Sequence, residues 1–425
     1  RQMCIRDRLN TCSPLYKHYM LIDPLRNEED VKEYVDLRLG PMGEIGDCVA
    51  DLGGEMIGVF GGIPGELVKA RIYRYRRRKR SMIAGIVTEV IERSPHRVEA
   101  PCPNFGPCSG CQWQHIEYQH QLALKREIVR DIFSSYGTLK EVNISPTLPA
   151  PAQFEYRNHA RFTVRFGGQM GFSNRITRRF VRIENCMLMT PIINETLDGL
   201  QDKVSETTNL SVRVGVNTGD RLIQPTLSAL DIPFSSGQKW YTERLKGRIF
   251  QVASPSFFQV NTPQSETLID LVSEYLALNK EQTLVDAYAG VGTFAATLAP
   301  SVKKVYAIEE SASAVNDASS ALSDVKNIEF LLGKTEKVLG DIIDDIDALI
   351  LDPPRVGCHP DSLKAVIEKQ PLRVAYVSCD PSSLARDLDI LLKGNYRVTN
   401  IQPVDMFPQT YHVECVATLT LSCET

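Results

Sequence analysis

The stretch TLVDAYAGVGTFAATLA, residues 283–299, decides the fold. Thr283 to Asp286 read as a short apolar strand ending in a carboxylate. Gly290 and Gly292 lack side chains where the chain must turn, and an apolar helix follows. Strand, glycine turn and helix form the unit at which nucleotide-like ligands meet a helix N-terminus. The segment GVGTFA also satisfies G-x-G-x-x-A. Glu309 ends the following strand KKVYAIEE (303–310), where its carboxylate can accept hydrogen bonds from two ribose hydroxyls. A nicotinamide enzyme is therefore a real competitor.

The next two strands argue against it. IDALILDPPRVG (346–357) ends in Asp352, Pro353 and Pro354, and a rigid Pro-Pro after a strand-end carboxylate builds a wall over the crevice where a planar substrate could lie. Hydride transfer has no evident need for such a wall. RVAYVSCDPSSLARDL (373–388) puts Cys379 at a strand's carboxyl end, the rim where open α/β sheets place their chemistry. A helix follows at once, and a sulfur near its N-terminus would be favoured as thiolate. The bland alternatives are a packing thiol for Cys379 and helix caps for Asp352 and Glu309. Convergence of four strand ends on one crevice favours chemistry.

Working outward, strands alternate with helices from about residue 255, the pattern of a parallel sheet covered on both faces. Toward the N-terminus, residues 31 to 90 alternate apolar and polar positions between frequent glycines, which predicts a small antiparallel barrel. Within it KARIYRYRRRKR (69–80) carries eight cations, with Tyr73 and Tyr75 interleaved. Arg74, Arg76, Arg77 and Arg78 there suit RNA phosphates, or else a solvated hairpin tip. Residues 116–134 read as one amphipathic helix with Leu122, Ile128, Val129 and Ile132 on or near one face. Residues 146–250 are strand-rich and carry Arg157, Arg161, Arg165, Arg175, Arg178, Arg179 and Arg182. The expected division is 1–29 without assignment, 30–92 barrel, 93–250 central domain and 251–425 catalytic domain.

Composition agrees with this plan. At about 150 residues per domain, 425 residues imply two to four domains, and 43% hydrophobic with 24% charged residues excludes collagen-like, coiled-coil and disordered classes. A net charge of −4 excludes a uniformly basic coat for nucleic acid, so anion-binding faces must be local. No membrane span or secretory leader is evident, and the expected setting is cytoplasmic. Eleven cysteines are too few for a disulfide scaffold, yet Cys102, Cys108 and Cys111 fall within ten residues. Their C-x5-C-x2-C spacing asks for a metal and a fourth ligand. One Cys-x2-Cys turn rather than two favours a [4Fe-4S] cluster over zinc.

CPNFGPCSGCQWQH (102–115), SPSFFQVN (254–261), DAYAGVGTF (286–294), LDPPRVG (351–357), YVSCDPSSLARDL (376–388) and DMFPQTYHVECVATL (405–419) occur in that order. From about Val31 to Leu421 the chain thereby resembles the S-adenosylmethionine-dependent RNA uracil-5-methyltransferases of the iron–sulfur branch that modifies ribosomal RNA. The resemblance implies an α/β protein: a Rossmann-like class I methyltransferase domain, an N-terminal oligonucleotide-binding (OB-fold) barrel of the TRAM kind and a central α+β iron–sulfur domain. It implies Cys379 as nucleophile and Glu414 as base. It places Gln259, Tyr288, Gly290, Gly292, Thr293, Glu309 and Asp352 in the S-adenosylmethionine pocket, and Phe257 or Phe258 near the target base. Cys186 becomes the fourth cluster ligand. Asp380 and Thr293 stand where the family more often has Asn, and the extra charge of Asp380 bears on the Cys379 thiol.

The implied function is methylation of uracil C5 in RNA, 23S ribosomal RNA in particular, by a monomer acting on an unpaired or flipped-out uridine. A transfer RNA uridine is the alternative substrate. Cytosine-5 transfer also uses a thiol but is disfavoured by the DPPR and YHVEC pairing. From other classes, a nucleotide-cofactor iron–sulfur oxidoreductase and a non-catalytic RNA-binding module remain as rivals.

Overall fold

The computed structural model describes residues 33–77, 80–175, 178–229 and 231–422, without the side chains of residues 75–77, 80, 81 and 320. The segment 1–29 and Arg78 lie outside the described residues, as do the side chains of Arg76 and Arg77.

The N-terminal strands are β1 (Glu33–Arg38), β2 (Asp47–Leu52), β3 (Glu55–Phe60), β4 (Leu67–Arg77) and β5 (Arg80–Glu92). They form one sheet in the order β1-β4-β5-β3-β2. The chain just after β1 joins the free edge of β2: Gly40 N–H donates to the Val49 carbonyl at 2.7 Å and Val49 N–H to the Pro41 carbonyl at 2.9 Å. Alternate residues point inward, as a two-residue period requires, and Cys48, Ala50, Ile57, Val59, Val68 and Ala70 are buried. The antiparallel expectation fails at one pairing, because β3 and β5 run parallel. β4 pairs with β1 and β5 rather than with β3, so the β3–β4 link crosses the sheet instead of closing a hairpin. Alternation in sequence is blind to strand direction.

Next comes α1 (Tyr118–Ser134), which buries Leu122, Ile128, Val129 and Ile132. A second sheet holds β6 (His159–Arg165), β7 (Gln169–Ser173), β8 (Phe180–Arg182), β9 (Asn209–Val214) and β10 (Arg221–Gln224), in the order β10-β9-β6-β7-β8. Its inner face packs Phe162, Leu210 and Val212 on Ile193, Leu197 and Leu200 of α2 (Pro191–Leu200). The hairpin of β11 (Trp240–Leu245) and β12 (Arg248–Ala253) lays Tyr241, Phe250 and Val252 against Val291 of the glycine turn.

The remaining elements are α3 (Thr262–Leu276), β13 (Thr283–Asp286), α4 (Thr293–Leu298), β14 (Lys304–Glu309), α5 (Ala312–Ala321), β15 (Ile328–Leu332), α6 (Thr335–Val338), β16 (Ala348–Leu351), α7 (Pro360–Lys369), β17 (Arg373–Ser378), α8 (Pro381–Leu392), β18 (Tyr396–Val404) and β19 (Glu414–Leu421). The sheet order is β15-β14-β13-β16-β17-β19-β18. β13 to β17 run parallel, and β19 is antiparallel to both neighbours. Parallel strands buried on both faces read as unbroken apolar runs, as ALIL of β16 does. α1 belongs to this layer: Leu124, Ile128 and Phe133 share a core with Leu388, Leu391 and Ile401. Among the described residues no helix is long and apolar enough to cross a membrane.

Candidate active site

Parallel pairing of β13, β14, β16 and β17 brings Asp286, Glu309, Asp352 and Cys379 to one edge of the sheet, since each ends or immediately follows its strand. Glu414 opens β19 beside β17 and is buried, 3% exposed, rather than an ordinary surface residue. Burial raises the Glu414 carboxyl well above its usual range, with Asp352 adding to the effect and Arg355 opposing it. Burial pushes Asp286 up to about 7, with Glu309 contributing. Asp352 rises to about 7 through burial and then the Asp286 charge.

Cys379 departs from expectation. Its thiol is pushed up to about 12 by burial first and by the Glu414 charge second, with smaller contributions from Asp352 and Asp380. The α8 N-terminus lies next to it, but burial and three carboxylates outweigh that dipole, and Arg355 is the opposing cation. Asp380 has a structural role, because its Oδ1 accepts the Ser383 N–H at 2.8 Å and so caps α8.

Arg355 opposes the upward shift of both Cys379 and Glu414 yet was not singled out from the sequence. Its signal was present in LDPPRVG, as a cation between two carboxyl-rich strand ends. The loop that carries it is clamped from α8. Asp387 accepts the Cys358 N–H at 2.7 Å and the Tyr376 hydroxyl at 2.6 Å, and Arg386 donates to the Val356 carbonyl at 2.8 Å. Gly357 fits beneath the clamp with φ +78°; a Cβ there would stand 2.5 Å from Asp387 Oδ2.

The glycine turn adopts left-handed φ at Gly290 (+56°) and Gly292 (+81°), a region open to glycine. Glu309 serves this turn directly. One carboxylate oxygen accepts the Gly290 N–H at 2.9 Å and the other the Ser311 N–H at 2.7 Å, so lone pairs expected to meet hydroxyls are partly engaged by backbone. Thr293 begins α4. Tyr288 is half-buried, with its hydroxyl 3.4 Å from Ser362 Oγ. The Gln259 carbonyl accepts from Asn158 Nδ2 at 3.0 Å, which fixes its backbone beneath the second sheet. Of the neighbouring aromatics, Phe257 is 72% exposed, whereas Phe258 is buried against Phe250 and Val291. Only Phe257 has a free face for stacking.

A second concavity, of about 320 Å³, is lined by Cys102, Cys108, Cys111 and Cys186 together with Arg157, Arg175, His159 and His412. The cysteine loop is tied down by Asn174 Nδ2 donating to the Pro107 carbonyl at 2.6 Å, and Cys186 by its N–H to Asn194 Oδ1 at 2.9 Å. Burial, with the neighbouring sulfurs adding, pushes Cys108 up to about 11 and Cys111 up to about 12. The four thiols expected as cluster ligands thus line one cleft. Among the described residues, no three His, Cys, Asp or Glu side chains are grouped closely enough to hold a single metal ion.

The basic features are less free than their sequence suggests. Arg74 pairs with Glu33 at 3.3 Å, and Arg182 with Asp202 at 2.6 Å. Arg161 and Arg165 of β6 are exposed.

A model of the tRNA (Uracil-5-)-methyltransferase family matches residues 241–421. A Gloeobacter violaceus protein named as an uncharacterized RNA methyltransferase is 34% identical over 439 residues, covering 89% of this chain and 94% of that one. A Bacillus cereus protein of the same description is 31% identical over 449 residues, covering 92% and 97%. The crystal structure of Pyrococcus abyssi tRNA (uracil-54, C5)-methyltransferase in complex with S-adenosyl-L-homocysteine aligns with a TM-score of 0.70 at 26% identity, over 91% of this chain and 100% of that one. These matches set aside the oxidoreductase and the non-catalytic module. The chain is an RNA methyltransferase and belongs to the RNA uracil-5-methyltransferase family.

Proposed function

We propose that this enzyme methylates C5 of a uridine in RNA, with S-adenosylmethionine as donor, and that 23S ribosomal RNA is its substrate. The observation that carries the reading is the meeting of Cys379, Glu414, Asp352 and Arg355 at one end of the catalytic sheet. The donor supplies an electrophilic methyl group on a positively charged sulfur. The glycine turn, Tyr288, Thr293, Gln259, Glu309 and Asp352 would hold it.

Uracil C5 is too weak a carbon nucleophile unaided. The Cys379 thiol first loses its proton to water; the thiolate sulfur then bonds to C6, and the C5=C6 electron pair moves onto C5 and O4. C5 then takes the methyl group as the methyl–sulfur bond breaks, leaving a neutral thioether. Glu414 carboxylate removes the C5 proton, the double bond returns, and the C6–sulfur bond breaks to release thiolate. At pH 7 a thiol with pKa near 12 is ionised to roughly one part in 10^5. Cys379 and Glu414 ionise more readily once a positive charge lies beside Asp352, which ties the start of chemistry to an occupied donor site.

Phe257 would stack on the flipped base. Arg74, Arg76, Arg77 and Arg78, with the central arginines, would meet phosphates. The barrel fits the oligonucleotide-binding kind by its strand order and its parallel β3–β5 pair. Cys102, Cys108, Cys111 and Cys186 would hold a [4Fe-4S] cluster, whose contribution would be to cross-link the cysteine loop to the second sheet. About four irons per chain would support it; one zinc would exclude it. We take the protein to act as a cytoplasmic monomer. Likeness to the archaeal enzyme over most of the chain favours a second reading, a transfer RNA substrate. Mapping 5-methyluridine in both RNA classes from cells with and without the protein separates the two. Loss confined to 23S RNA supports the first reading, and loss confined to transfer RNA overturns it.

A further inference from the structure

Between β18 and β19 the chain leaves the sheet for residues 405–413 and returns at Glu414, whose register partner is Val404. This excursion is held from several sides. Lys125 of α1, wholly buried, pairs with Asp405 and also donates to the Phe407 carbonyl at 3.2 Å. The Tyr156 hydroxyl donates to the Pro408 carbonyl at 3.0 Å, and Asn261 Nδ2 to the Met406 carbonyl at 3.1 Å. A Cβ on Gly46 of the barrel would stand 2.8 Å from Tyr411, so the two segments are in close contact.

Gln409 is the hub of these contacts. It is buried, with φ +68°, a conformation that costs a residue with a side chain. Its carbonyl accepts both the Gln112 and the Trp113 N–H at 3.1 Å, directly after Cys111. Its side-chain oxygen accepts Gln121 Nε2 at 3.0 Å, while its own N–H donates to Gln121 Oε1 at 3.1 Å. The cysteine loop, α1 and the segment leading into Glu414 thus meet at one residue. Cys379 follows β17 directly and precedes α8; β17 pairs with β19 through Ser378 and Cys415, whereas the Gln409 hydrogen bonds named here go to the cysteine loop and α1.

We propose that Gln409 is a positioning residue for Glu414: it serves removal of the C5 proton and leaves addition of Cys379 to C6 unaffected. The inference rests on the reading above. This buried amide in a left-handed backbone fastens the segment carrying the base to the cysteine loop and to α1 at once. Glu414 is the first residue of its strand, so the path by which the preceding segment enters the sheet bears on where its buried side chain lies.

The test uses the full chain and RNA carrying tritium at uridine C5, in single turnovers. Gln409→Gly keeps the left-handed backbone and removes only the side-chain bond to Gln121. It should transfer methyl to RNA within about twofold of the unaltered enzyme, release tritium at least about tenfold more slowly, and accumulate a methylated protein–RNA adduct. Gln409→Asn, whose shorter amide tolerates the same backbone, carries the same expectation should the glycine variant fold poorly. Parallel slowing of methyl transfer and tritium release, or no change in either, would overturn the proposal. Trapping of the unaltered enzyme on 5-fluorouridine RNA separates the two levels: its absence removes the reading itself, whereas its presence alongside parallel slowing removes only the role of Gln409.

Discussion

Residues 405–414 contribute to two regions of this enzyme that differ in their titratable side chains: Phe407, Thr410 and His412 line the cysteine cleft, and Glu414 belongs to the crevice over the catalytic sheet. The crevice over the catalytic sheet gathers Asp286, Asp352, Glu414 and Cys379, all pushed toward their neutral forms by burial and by one another. The cysteine cleft gathers Arg157 and Arg175, and its histidines are held neutral: burial, followed by Arg213 for His159 and by Arg355 for His412, brings both down to about 3. An acid-rich crevice is complementary to a cation such as a sulfonium. An arginine-lined cleft is complementary to anions, which a set of thiolates around a metal cluster would be. One segment of the chain thus contributes side chains to two sites with different surroundings.

The contrast can be broken at several points. Cys379→Ala should abolish methyl transfer, by at least about 10^4-fold, while donor affinity in equilibrium dialysis stays unchanged. Loss of donor binding would contradict the assignment. Next in size is the shared segment itself. Lys125→Met leaves Asp405 buried without its partner and should cost about 3–5 kcal/mol in denaturant unfolding; a cost below about 1 kcal/mol would mean that the pair does not hold the segment. Cys111→Ser should lower iron content with donor affinity unaltered, and equal loss of both would mean that the concavities are not independent.

The smallest expected effect is electrostatic. The Cys379 thiol sits near 12, so its alkylation rate should still be rising with pH above 10. Glu414→Gln removes a like charge that raises this thiol, so the curve should move to lower pH. A shift to higher pH would contradict the coupling.

Much of the catalytic sheet was legible in sequence, because parallel strands buried on both faces leave apolar runs and their ends leave Asp286, Glu309, Asp352 and Cys379 in plain view. Residues 118–134 were legible as a helix for a similar reason, their 3.6-residue period. Which layer that helix joins was not, since an apolar stripe does not name its partner. The parallel β3–β5 pair was hidden because alternation carries no direction. The high thiol pKa of Cys379 was hidden because burial and the approach of Glu414, 35 positions further along the chain, depend on tertiary packing and outweigh the local cue of a helix N-terminus. Phe257 and Phe258 are identical in type, and only packing tells which one is free.

The central claim is a transient bond between the Cys379 sulfur and uracil C6. Incubation of the enzyme with S-adenosylmethionine and RNA bearing 5-fluorouridine, followed by digestion and mass spectrometry, tests it most directly. The account predicts a methylated fluorouridine attached to the peptide containing Cys379, with none formed by Cys379→Ala. An adduct on another residue, or none with the unaltered enzyme, would contradict it.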